Sequence, residues 1–91
     1  MHAVVVHVTI SDFDRARQGL QEQTVPAVSQ APGFVAGYWT RSEDNHGVGM
    51  AMFESEDAAR AVAEMVKSQG VPDPDAVSID SVDVNEVVAH A

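Results

Sequence analysis

Apolar and polar positions along the chain follow two rhythms. Residues 2 to 10, HAVVVHVTI, are dense in β-branched side chains and have the length of a strand. Phe13, Ala16 and Leu20 then recur at helical spacing behind Ser11, a capping residue, while Asp12 and Asp14 place negative charge in the first turn. A helix running to about Thr24 is predicted. Pro26 has no amide to donate, so a kink is expected there, followed by a short helical segment to about Gln30 with Val28 facing inward.

Two strands follow, at about 34 to 41 and 47 to 54, joined by the polar loop SEDNHG. Ser55 caps a second helix with Glu56 and Asp57 in its first turn, an apolar stripe of Ala58, Val62, Met65 and Val66, and a stop at Gly70 and Pro72. Glu56 with Arg60, and Arg60 with Glu64, are spaced as i,i+4 pairs. After the stiff PDPD loop, AVSIDSVDVNEVV alternates as a last strand whose phase slips near Ser81 and Val82, the mark of a bulge. The order strand, helix, strand, strand, helix, strand predicts one α+β domain over residues 1 to 91. Its fold is a ferredoxin-like βαββαβ, a four-stranded antiparallel sheet with two helices on one face.

The sheet's other face decides the assembly. Val4, Val6, Val8 and Ile10 point one way and Ala3, Val5, His7 and Thr9 the other; Val48, Met50 and Met52 oppose Gly49, Ala51 and Phe53. Neither side is consistently polar, so both need cover. Ninety-one residues without a Cys hold neither disulfide nor thiolate zinc site to supplement a small core. A homodimer packing sheet to sheet, with Val5, His7, Val48, Met50 and Met52 in the interface, is the economical solution. The formal charge of −9 repels phosphate polyanions and anionic membrane surfaces. No apolar run approaches the roughly 20 residues of a membrane span, and the first apolar run lacks a basic leader, so a cytoplasmic protein is expected.

A βαββαβ chain of this length with APGFVAGYW opening strand two, and with FES joining strand three to an acidic-capped helix, resembles the antibiotic biosynthesis monooxygenase-like family. The resemblance covers about residues 2 to 88. It implies a dimeric α+β barrel with a pocket between sheet and helices in each subunit. Activities in that family include cofactor-free oxygenation of polyaromatic phenols and haem degradation. The oxygenase pattern has Trp directly before the Glu-Ser pair and Asn four residues ahead of it, where this chain has Phe53 and Gly49. The haem-degrading pattern has Asn in the middle of strand one, here Val6, and a His on the second helix, where residues 56 to 69 contain none.

Candidate chemistry is accordingly sparse. Gly47, Gly49 and Ala51 alternate along strand three to Phe53 and remove side-chain volume, which either opens a cavity or is filled by Phe13, Leu20 or Met65. A pocket built on Val6, Phe13, Leu20, Trp39, Gly49, Ala51, Phe53 and Met65 would suit a flat aromatic small molecule; a filled interior would indicate a structural or interaction module. Weak catalytic candidates are His7, Tyr38, Trp39 and Arg41. Tyr38 and Trp39 point to opposite faces, and Trp39 reads either as a core or interface side chain or as a stacking surface. Arg41 suits a carboxylate or phenolate, or an ion pair with Glu43 or Asp44. His7, in mid-strand among valines, needs a hydrogen-bond partner if buried, and the family resemblance implies that it lies on the barrel side. His2 and His90 come near the ends of adjacent strands but make no secure metal site, and His46 is a loop residue. No cofactor and no metal are expected; the expected partners are a second copy and an apolar or aromatic small molecule. An active oxygenase would need a cavity of about 300 Å³ or more with convergent polar groups.

Overall fold

The computed structural model describes all 91 residues. β1 (His2–Ile10) runs between β3 (His46–Phe53) and β4 (Val77–Glu86), and β2 (Phe34–Arg41) lies beyond β3, giving the order β2-β3-β1-β4 with every neighbouring pair antiparallel. Between β1 and β2 the chain forms α1 (Phe13–Gly19), a π-helical turn (Leu20–Thr24) and α2 (Val25–Ser29); α3 (Glu56–Gln69) links β3 to β4. This is the expected ferredoxin-like α+β fold, with the helices on one face of the sheet.

Pro26 does not break the first helix. The residue before it, Val25, donates its amide to the Leu20 carbonyl five residues back, and Thr24 and Val25 both keep right-handed helical angles. The wider π turn lets the rod pass the ring, which lacks an amide and would crowd a regular α turn. In place of the expected kink, α1, the π turn and α2 form one continuous helical segment. Its cap is Asp12, whose side chain accepts the Arg15 amide. Ser11, the expected cap, is turned instead toward the loop before β4, where its hydroxyl donates to the Asp75 carbonyl.

α3 begins as expected, with the Ser55 hydroxyl accepting the Ala58 amide. Its fully buried residues are Ala59, Val62 and Ala63, while Ala58, Met65 and Val66 are half-buried. Small side chains let the helix approach the sheet closely over Phe53, which is 0% exposed and meets Phe34 edge-on with ring centroids 5.9 Å apart. Burying that one ring contributes roughly 1.5–3 kcal/mol. Of the two expected ion pairs on α3, Arg60 holds Glu56 at 2.6 Å; Glu64 faces Lys67, at 3.9 Å, rather than Arg60.

The bulge in β4 is at Asp80, one residue before the expected place. His7 pairs with Ser81 and Val8 with Ile79, so Asp80 is left over. The extra residue lets Val77 and Ile79 share the helix side with Val82 and Val84, which explains the slip in the apolar phase. On the opposite side Thr9 donates to Asp80 at 2.8 Å, and the His46 ring stands 3.4 Å from the same hydroxyl. This face is apolar across β1, β3 and β2, through Val48, Met50, Met52 and Tyr38 with Val5 already buried between its neighbours, and turns polar at β4, with Ser81, Asp83 and Asn85 in line with His7, Val5 and Ala3. Tyr38 is 66% and Met50 40% exposed.

Candidate functional site

α3 and α2 press on one half of the sheet, and α1 with the π turn stands off the other half: no residue of α1 or the π turn is fully buried, whereas Val28 of α2 is. A partly enclosed cavity of about 420 Å³ lies in the gap. β1 contributes Val4, Val6, Val8 and Ile10 as one wall, Phe13, Ala16 and Leu20 form the facing wall, and Val77 and Ile79 reach it because of the Asp80 bulge. The lining is mainly hydrophobic and contains no His, Asp, Glu, Lys or Tyr. The lining therefore offers no histidine or carboxylate to act as a general base or to ligate a metal.

Trp39 lies on the cavity side and Tyr38 on the open side, as strand alternation requires. The indole lies flat along the sheet. A Cβ placed on Gly49 would come 2.7 Å from Trp39 Cδ1, and one placed on Gly37 would come 2.8 Å from Trp39 Cη2. Both glycines thus make room for the ring, which is directly in line with Gly49, Val6 and Val82 across the sheet. Of the two readings of these glycines, an open void or filling by Phe13, Leu20 or Met65, neither describes the packing over them: the volume above Gly49 is taken by Trp39, and that above Gly47 by Val8, Ile10 and the Thr40 carbonyl. The cavity exists because α1 stands away from the sheet. Gly49 matters as the seat of its aromatic floor, and Gly37, two residues before Trp39, was the overlooked signal.

Arg41 continues β2 on the same side. Its guanidinium carbon sits 3.6 Å from the centroid of the Phe13 ring, and the Arg17 guanidinium approaches that ring at 5.9 Å. Neither arginine forms an ion pair, so Arg41 does not take the Glu43 or Asp44 partner that its position suggested. Asp44 accepts from Ser42 instead, and that hydrogen bond holds its carboxyl below the usual carboxylate range.

The other sequence candidates disperse. Val6, Phe13, Leu20, Trp39, Gly49 and Ala51 line the cavity. Phe53 does not, because the close-packed alanines of α3 seal it into the core. Met65 faces a smaller recess of about 230 Å³ between the π turn and α3, with Gln23, Ala27 and Gln69. His7 is exposed on the open face and needs no protein partner there, since water reaches its imidazole. His7 and Tyr38 are thus on the wrong side of the sheet to act in the cavity, leaving Trp39 and Arg41 together. His2 points to the helix side, paired across from Phe53, with its Nδ1 buried and without a hydrogen-bond partner.

Comparison with known proteins agrees with this architecture. A family model described as a domain of unknown function, DUF3110, matches residues 35–91. Curated protein sequences gave no match. Among solved structures, HapK from Hahella chejuensis superposes with a TM-score of 0.70 at 13% identity, covering 100% of this chain and 96% of its own. SnoaB, a cofactor-independent oxygenase from Streptomyces nogalater, gives 0.68 at 15% identity, covering 98% and 94%. A dimeric ferredoxin-like protein from an uncultured marine organism gives 0.60 at 10% identity, covering 100% and 98%. The chain has the fold of the antibiotic biosynthesis monooxygenase-like proteins, as the resemblance in its sequence implied. No helix is long and apolar enough to cross a membrane.

Proposed function

We propose that this chain, which belongs to the DUF3110 family, binds a flat aromatic small molecule between α1 and the sheet, on the Trp39 indole. The observation that carries the reading is the aromatic-floored cavity of about 420 Å³, within the size range of small-molecule sites and mainly apolar in its lining. A purely structural module would have filled that space, because interiors are ordinarily close-packed. The direct test is calorimetric titration with 1-naphthol. Saturable binding that weakens in Trp39→Ala supports the reading, and absence of heat at millimolar ligand contradicts it.

Cofactor-independent oxygenation is the second reading, favoured by the fold shared with SnoaB, a cofactor-independent oxygenase. With no base in the lining, the phenol itself would have to supply the reactive anion, and Arg41 is the group placed to stabilise it. Oxygen uptake that requires both phenol and protein, and that falls in Arg41→Gln, is the expected result. Uptake identical to a protein-free control removes it.

The assembly proposed is a homodimer through the open sheet face, with Val5, His7, Val48, Met50 and Met52 at its centre. Support comes from the exposure of Met50 and Tyr38 on a face whose apolar stretch spans three strands, and from the dimeric ferredoxin-like protein that shares the fold.

A further inference from the structure

Fourteen acidic residues surround five cations in this chain, so a cation without an acidic partner is unusual. Arg15 pairs with Asp73, Arg60 with Glu56 and Lys67 with Glu64. The two that remain, Arg17 and Arg41, come from different elements, converge on one side chain, the Phe13 ring, and both line the cavity. Not one of the chain's carboxylates lies in that lining. Two like charges brought to one ring repel each other, and neither has a carboxylate within ion-pair distance.

We infer that the cavity's ligand is an aromatic acid, held with its rings over Trp39 and its carboxylate at the rim between Arg41 and Arg17. The inference rests on the small-molecule reading of the cavity and adds the charge of the ligand to it. A carboxylate fits because its two oxygens accept from guanidinium forks in pairs, a geometry a single hydroxyl lacks. Phe13 holds the Arg41 fork in place before the ligand arrives, which reduces the ordering cost of binding. The apolar walls exclude water from the acid's ring system, which strengthens the contact between carboxylate and guanidinium.

The test compares 2-naphthoate with its neutral isostere 2-naphthamide by isothermal titration calorimetry on the native chain, and then on Arg41→Gln and Arg17→Gln. One charge-assisted hydrogen-bond pair should make the acid bind about tenfold more tightly than the amide, and each variant should narrow that difference by weakening the acid more than the amide. Amide binding is the internal control for folding, so a variant that loses both ligands is read through the other variant. Equal affinities for acid and amide on the native chain overturn the charge assignment and leave the aromatic cavity standing. Failure of both compounds to bind overturns the cavity reading and this inference together.

Discussion

At the scale of single residues, the Trp39 ring and the two glycines beneath it form one unit. Adding a methyl at Gly49 forces the indole off the sheet, because the new atom would lie 2.7 Å from Trp39 Cδ1. Gly49→Ala is expected to lower stability by about 1–3 kcal/mol in urea unfolding, the usual cost of overpacking, and to shift the Trp39 emission maximum. Strand alternation made it legible that Tyr38 and Trp39 separate, yet not which of them faces the helices, since both are aromatic and apolar patterning weighs them alike. The stacking of Arg41 on Phe13 was equally hidden, because those residues lie far apart in sequence and meet only through the fold. Glu56 offers a check on local electrostatics. The hydrogen bond from Arg60, followed by its charge, holds the Glu56 carboxyl below its ordinary 4.5. A depressed carboxylate contributes stability above its unfolded value that is lost as pH falls through the folded one. Arg60→Ala should therefore bring the NMR-titrated value back toward 4.5 and flatten the stability profile only on the acid side.

At the scale of elements, most boundaries were readable from caps and periodicity. β1 and β2 begin and end where their β-branched and aromatic runs do, and α3 follows directly from Ser55. Ser55→Ala removes the side chain that accepts the Ala58 amide, and it should cost about 1 kcal/mol, measurable as a lowered urea midpoint with an unchanged slope. What sequence patterns do not convey is how a chain absorbs an irregularity. Pro26 predicts a break, but a π turn accommodates it, and the choice depends on the register of carbonyls a full turn earlier. The bulge in β4 was visible as a phase slip, whereas at Asp80 the side chain meets a partner, Thr9, 71 residues away in sequence. That bulge also carries Val77 and Ile79 to the cavity wall, so a local irregularity shapes the candidate site.

At the scale of the whole molecule, two surfaces need explanation: an apolar space beneath α1 and an apolar sheet face open to water. The second was legible from strands with no consistently polar side, and it predicts that the native chain has twice the chain mass by light scattering at micromolar concentration. Met50→Glu, a charge at the centre of that face, should yield a monomer. The first was not legible as a volume, because the distance between α1 and the sheet depends on how α2 and α3 seat at the other end. An aromatic ligand resting on Trp39 would be reported by the single indole N–H of the chain's only tryptophan. In a ¹H–¹⁵N correlation spectrum, titration with 2-naphthoate should move that indole signal and the Gly49 amide saturably and with one common affinity. An indole signal that stays fixed while amides of the open face around Tyr38 and Met50 shift would contradict it.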